Sequence, residues 1–488
     1  MKNFLAAALL AGAALFMPAG ASGQTKPGHD PMGSFVKGTE LYDAGNYDQA
    51  IAAFSDALTG DSDLSAVAYT YRGMAYYSLG NYSRAIADCT KALEYTPAYT
   101  PALLTRGNAY RNNGEHNRAI ADYVRILQSR PNHPGAFYNR GIAHYFKGET
   151  DQAMTEFAEV LKASDALDLH AGASLYLGFL YDAKGDADRA DEAYQAAERL
   201  EFANPSAVTA ASRGRQAARN GNYEEAIKHF NTVAKTDPLY AVALNYRANA
   251  YLAAGNPNRA IADYKEVLAI SPAYASARSD LGFAYFSIGQ YADAIKAYDE
   301  VLRLNPGSAA AFNNRGYARF NAGDYDSAIA DYTEAVRIEP SMSSAYYGRA
   351  GAYAKKENFP QAIADYGKAI QYDSSHVNAF YRRAELYRKN GNYPRAEADY
   401  SAVLGLDEDY ADPGNERRYL YAEVLNGRGK AYFEMQKYDA AKSDFETALN
   451  LNPALLDAYK GLEKIADIAE QSIEEQSSAD NGVEAVQE

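Results

Sequence analysis

The chain has 488 residues, of which 47% are hydrophobic, and a formal net charge of −15 at pH 7. This acidic balance argues against nucleic acid as a partner, because phosphate binding calls for a basic surface. A single cysteine, Cys89, leaves no possibility of an internal disulfide in any compartment.

Residues 1–21 begin with Met1-Lys2, continue as an apolar run from Phe4 to Met17 and close on Ala19-Gly20-Ala21. A charged start, a short apolar stretch and an A-x-A site predict a cleavable signal peptide cut after Ala21. The apolar run is too short for a span of about 20 residues, and no cysteine follows the site for lipid attachment. The pattern predicts export to the periplasm of a Gram-negative bacterium. Residues 22–30 are expected to form a flexible linker.

From residue 31 onward one frame returns. Ala50, Ala85, Ala119, Ala153, Ala190, Ala226, Ala260, Ala294, Ala328, Ala362, Ala396 and Ala441 share it, and seven of the eleven intervals between them are 34 residues. Twelve positions before each alanine lies a small residue, such as Gly107, Gly316 or Ala384. Four positions after it lies an aromatic in eleven of twelve copies, with Cys89 as the exception. Such a period predicts a repeat array in which each unit buries its apolar face against its neighbours. In the copy from Ala309 to Met342, Tyr325, Ala328, Ile329, Tyr332 and Ala335 follow the spacing of an amphipathic helix. Gly323 ends the first helix and Asp324 caps the second. A glycine inside most of the first helices costs roughly 1 kcal/mol each, so we expect close helix crossing there, against the recurring alanine.

Residues 31–206 form the N-terminal units, and 207–410 the central ones. Extra residues near Asp165–Leu169 and Phe202–Ser206 predict a local change of pitch. Residues 411–421 are an insertion that either loops out or precedes a lengthened helix, and 422–470 hold the last unit and a capping helix. Residues 471–488, rich in acids and without Lys or Arg, are expected to be a disordered tail.

Units such as Tyr71 to Pro97, reading YRGMAYYSLGNYSRAIADCTKALEYTP, resemble the tetratricopeptide repeat, in register over roughly Pro31 to Leu455. The resemblance implies an all-α solenoid of about twelve helix-turn-helix units in a right-handed superhelix. It also implies a concave groove lined by first helices that binds protein or peptide partners.

Catalytic motifs are not found. The seven histidines lack paired-ligand spacing, and no phosphate loop or nucleophile elbow occurs, so no cofactor, metal or enzymatic activity is expected. Asp263, Asp331, Asp365 and Asp399 recur with the frame and are assigned to exposed helix faces. First-helix positions near the small residue then supply the candidate groove. Phe283, Phe286, Asn313, Tyr317, Phe320, Asn245 and Asn249 are the principal candidates, and Tyr77, Asn108, Tyr138, Tyr145 and Phe179 are among the further inward positions. Rings cover apolar side chains and amides pair with peptide groups. Arg349, Lys355, Lys356, Arg382, Arg383, Arg388 and Lys389 form a second candidate, a basic patch suited to an anionic polymer. The expected function is a non-catalytic adaptor that binds extended protein segments in the cell envelope. The alternative is an accessory subunit of a surface-polysaccharide or secretion machine.

Overall fold

A computed structural model describes residues 30–59, 64–164, 166–200, 207–233, 235, 237, 239–272, 274–406 and 417–484. These residues form 25 helices and no strand. Two compact units divide the chain, Met1–Gly289 and Gln290–Glu488.

The first unit contains α1 (Pro31–Asp43), α2 (Tyr47–Ala57), α3 (Ser65–Ser78), α4 (Tyr82–Tyr95), α5 (Thr100–Asn112), α6 (His116–Ser129), α7 (Pro134–Lys147) and α8 (Thr150–Lys162). It continues with α9 (Leu167–Ala183), α10 (Ala187–Arg199), α11 (Ala207–Arg219), α12 (Tyr223–Phe230), α13 (Tyr240–Ala253), α14 (Pro257–Ile270) and α15 (Ala275–Ser287). The second unit contains α16 (Tyr291–Leu304), α17 (Ala309–Asn321), α18 (Tyr325–Ile338), α19 (Ser343–Lys355), α20 (Phe359–Tyr372), α21 (Val377–Lys389), α22 (Tyr393–Gly405), α23 (Arg418–Glu434), α24 (Tyr438–Leu451) and α25 (Leu456–Glu484). Odd-numbered helices up to α23 are the first helices of the repeating hairpins.

The hairpin α17/α18 shows how the local sequence makes its ends. Ser308 Oγ accepts the Ala311 N–H at 3.2 Å and starts α17. Gly323 takes φ +86° and turns the chain, a conformation open to glycine because it has no Cβ. Asp324 Oδ1 then accepts the Ser327 N–H at 3.1 Å and starts α18. Two turns use a side-chain-bearing residue instead, Glu357 at φ 59° and Gln436 at φ 60°.

The recurring glycine has a different neighbour from the one expected. A Cβ placed on Gly107 would lie 2.7 Å from the ring of Tyr123, and one on Gly178 2.4 Å from Tyr194. It is therefore the ring sixteen residues on, more than the recurring alanine, that fills the notch. The same ring is flanked from the other side: a Cβ on Gly348 would lie 2.5 Å from Tyr332. Each ring thus sits between its own first helix and the next one. That is why Tyr123, Tyr194, Tyr264, Tyr332 and Tyr400 are fully buried.

The repeated carboxylates are not on exposed faces. Asp263, Asp331, Asp365 and Asp399 are only 3–7% exposed. Each receives an arginine sixteen residues earlier: Arg247, Arg315, Arg349 and Arg383, at 2.6–2.7 Å. Arg72–Asp88, Arg106–Asp122, Arg140–Glu156 and Arg428–Asp444 repeat the arrangement. In most copies Nε and Nη2 hold the two carboxylate oxygens while Nη1 reaches back to the preceding hairpin. Arg106 Nη1 donates to Thr90, Arg315 Nη1 to Asp299 and Arg428 Nη1 to Ser401. Where it occurs, the ladder thus fastens a hairpin internally and, in most copies, to its predecessor through a planar, five-donor group. Sequence periodicity marks these aspartates as frame, yet their burial depends on a partner sixteen residues away. Glu156 is the irregular copy. One methylene longer, it leaves its Oε2 and Arg140 Nε without partners.

At the first predicted pitch change, additional residues lengthen α9 to seventeen residues, and α23 has the same length. Residues 418–421 of the predicted insertion are therefore helical. Residues 411–416, the predicted signal peptide and residues 22–29 of the linker lie outside the described residues. Helix α25 runs to Glu484, so most of the segment expected to be disordered is helical. Its Glu, Gln and Ala residues are good helix formers, and that preference outweighs the acid repulsion read from composition.

Candidate functional site

First helices supply the inner wall, and in the first unit much of that wall is filled by its own side chains. Tyr145 on α7 bonds through its hydroxyl to those of Tyr246 and Tyr274, each at 3.1 Å, although these lie 101 and 129 residues away. Phe146 packs edge-on to Tyr274 with centroids 4.7 Å apart, and Phe179 on α9 meets Tyr246 at 4.7 Å. One apolar cluster runs from Ile142 to Ala284. Among the predicted inward residues, Phe179 and Asn245 are consequently buried, at 1% and 3% exposed. Tyr145 and Tyr138 also pack against the cluster. These side chains point inward as expected but meet one another, so they offer no open groove.

Asn245 Oδ1 has no hydrogen-bond partner, and Asn249 accepts the Tyr264 hydroxyl at 2.5 Å. Nearby on α15, burial lifts the Asp280 carboxyl to about 7. Phe283, one turn further along that helix, is 54% exposed, while Phe286 is half-buried.

The second unit repeats this division between ring positions. Tyr317 on α17 is 49% exposed, whereas Phe320 is half-buried and packs on Tyr325 at 5.5 Å. Asn313 is half-buried and donates to Asn314 at 3.4 Å. In α15 and α17, unlike Phe179 in α9, the ring directly after the small residue is exposed, and in α17 the ring three residues later packs at the turn. The four predicted aromatic residues thus divide between the two units, with an exposed ring in each.

Ion pairing consumes most of the predicted basic patch. Arg349 and Arg383 belong to the buried ladder, Arg388 pairs with Glu385 at 2.9 Å, and Lys356 pairs with Asp326. Lys355, Arg382 and Lys389 are exposed, with Arg382 leaning over the Tyr381 ring. Four of the seven cations therefore carry their own counter-charge, which a count of basic residues along the sequence does not reveal.

The remaining titratable singletons have structural settings. Cys89 is buried against Gly73, and burial pushes its thiol far up, as a small core hydrophobe requires. His133 and His376 accept backbone N–H groups at the starts of α7 and α21. His116 stacks on Phe146, and burial, with Arg111 and Lys147 nearby, lowers it to about 4. Among the described residues no group of three or more His, Cys, Asp or Glu side chains could hold a metal ion. No described helix is long and apolar enough to cross a membrane.

Family comparison agrees with this architecture. A tetratricopeptide repeat model matches residues 35–100, 211–275, 280–343 and 347–415, more than half of the chain. Further repeat models match 107–148 and 422–455. The chain belongs to the tetratricopeptide repeat family, and its repeats form a scaffold for protein–protein interaction. Solved structures similar to it include MamA, at 28% identity over 33% of this chain and 94% of that one, with a TM-score of 0.31. A tetratricopeptide repeat protein from Parabacteroides merdae has 18% identity, covering 54% of this chain and 100% of that one, with a TM-score of 0.40. The APC/C hetero-tetramer Cut9–Hcn1 has 14% identity, covering 89% of this chain and 96% of that one, with a TM-score of 0.44. No curated protein matches the chain.

Proposed function

We propose that the chain is a non-catalytic adaptor, exported to the periplasm, that holds extended segments of partner proteins on its first-helix faces in envelope assembly or maintenance. The observation carrying this reading is the pair of exposed rings, Phe283 at 54% and Tyr317 at 49%, in the same register of their hairpins. A ring about half exposed on a scaffold whose frame rings are buried is a natural anchor for a partner side chain. The signal-like start of the sequence supports export. The anionic-polymer alternative has less support, since four of its seven cations are already paired.

Affinity purification of the mature chain from its own periplasm, followed by mass spectrometry, tests this. Protein partners should be captured by the parent and lost from a Phe283→Ala/Tyr317→Ala variant with unchanged melting. Unchanged capture would sink the assignment of these rings. Co-purifying glycan would favour the polymer, and turnover of a small molecule would refute the non-catalytic role.

A further inference from the structure

A tyrosine in the buried ring position brings a hydroxyl that phenylalanine does not, and four hairpins supply an acceptor for it on their first helix. Tyr123 donates to Asn108 at 2.8 Å, Tyr264 to Asn249 at 2.5 Å and Tyr400 to Glu385. Each of these acceptors stands directly after the small residue of its first helix. Tyr194 donates to Asp182, further along α9, at 2.6 Å. Phe54, Phe157, Phe230 and Phe445 fill the position in other copies and need no acceptor.

Two neighbouring hairpins of the second unit keep the tyrosine and lack the acceptor. In α17 the acceptor register holds Tyr317, within electrostatic reach of Tyr332. Tyr332 is 1% exposed, and its hydroxyl has no hydrogen-bond partner. Asp331 beside it is already taken by Arg315 and Arg319, at 2.6 and 2.9 Å. In α19 the register holds Gly351, so no side chain fills the space. A Cβ placed there would stand 3.8 Å from the Tyr366 hydroxyl and 3.7 Å from Phe320. Tyr366 is 4% exposed, and among the described residues nothing accepts from its hydroxyl. A Cβ on Gly348 would lie 2.8 Å from the Tyr332 hydroxyl. Both hydroxyls therefore lie against α19, at glycines one turn apart.

Burying a hydroxyl without an acceptor costs stability that phenylalanine avoids. The two tyrosines are thus suited to an acceptor from outside the chain. Nearby guanidinium groups are committed elsewhere, Arg319 to Asp331 and Arg349 to Asp365. Arg382, the further cation in reach of Tyr366, is exposed over the Tyr381 ring. What α19 offers is a pair of neutral donors beside a surface that lacks side chains, where another backbone can come close.

We propose that the Tyr332 and Tyr366 hydroxyls donate to main-chain carbonyls of an extended protein segment lying over α19, where Gly348 and Gly351 admit its backbone. The half-exposed ring of Tyr317 swings off Tyr332 and onto the segment as it binds. This rests on the reading of Tyr317 as an anchor and adds the contact that fixes the backbone of the segment.

The test is selection from a synthetic randomised peptide library, with both termini blocked, against the purified full chain. An enriched peptide is then scanned with thioamides, in which sulfur replaces one main-chain carbonyl oxygen at a time and accepts hydrogen bonds poorly. Tyr332→Phe and Tyr366→Phe should each weaken the enriched peptide roughly three- to tenfold. For each hydroxyl, one thioamide position should weaken binding to the parent but not to the matching phenylalanine variant. Gly351→Asn gives Tyr366 the acceptor that Tyr123 and Tyr264 have, so it should weaken the peptide while melting at or above the parent. Neither phenylalanine variant breaks a native hydrogen bond, so both should also melt at or above the parent, whereas Tyr264→Phe should melt below it. Unchanged peptide binding in either phenylalanine variant, thioamide effects that persist in them, or melting as low as that of Tyr264→Phe would each overturn the proposal. The anchor reading survives any of these results if Tyr317→Ala still abolishes capture. Failure of the parent to enrich any peptide would overturn both.

Discussion

In the first unit, Tyr145 bonds to hydroxyls 101 and 129 residues away. In the second, the long-range side-chain bonds join neighbouring hairpins, as from Tyr432 to Glu397 across 35 residues. The frame is the same in both, with rings in glycine notches and arginine ladders. The difference lies at the positions the frame leaves free. Tyr145, Tyr176, Phe179, Tyr246 and Tyr274 are large enough to meet across the inner wall and bury one another. The corresponding region of the second unit carries Tyr317, about half exposed, and Tyr347, which packs on its local cluster and meets the rings of Tyr366 and His376 nearby. A repeat array is ordinarily a one-dimensional system whose units feel only their neighbours. The second unit conforms to that description, and the first adds contacts that link distant hairpins.

The largest expected effect tests what the two units share. Asp122→Ala in the first and Asp365→Ala in the second each strand a largely buried arginine, and each should cost about 3–5 kcal/mol, measured by denaturant unfolding. Equal losses would establish the ladder as common framework, while a negligible loss in either would remove it from the account.

Tyr145→Ala should cost about 3–5 kcal/mol as a buried ring deletion. More tellingly, it should raise amide exchange in α13 and α15 as well as in α7. Tyr347→Ala, its contrast in the second unit, should affect only α19 to α21. Exchange confined to α7 in the Tyr145 variant would erase the distinction between the units.

Acid titration separates them further. Burial holds Asp280 near 7, above its unfolded value of about 3.9. The folded state therefore binds the extra proton, so this contribution is fully present below about pH 4 and is lost as pH rises through about 7. Asp280→Asn should remove that loss and stabilise the first unit at pH 8 by roughly 2 kcal/mol, discounted for partial solvent access. His116, lowered to about 4 by burial, acts in the opposite direction between about 4 and 6.5. The difference between Asp280→Asn and the parent is therefore the quantity to follow, and an unchanged pH profile would refute the assignment.

Two smaller substitutions repair irregular copies. Glu156→Asp should restore the two-oxygen contact with Arg140 and gain about 1 kcal/mol in the first unit. Glu357→Gly should relieve a left-handed turn in the second, by roughly 1 kcal/mol. Thermal melting checks both, and a decrease in either would show that the present residue has a use elsewhere.

Residue periodicity alone determined the helical hairpins, their caps, the buried alanines and the family. Each of these depends on neighbours within a turn or on a motif repeated twelve times, and both are written along the chain. The arginine ladder was half legible. Arg and Asp recur sixteen residues apart, but a carboxylate on a helix reads as exposed until the guanidinium opposite it is known. Tertiary structure alone decided that Tyr145 and Phe179 fill the wall they were expected to line and that four patch cations are neutralised. Burial and charge pairing are set by distances between side chains that the winding of the hairpins brings together, and no local spacing encodes those distances.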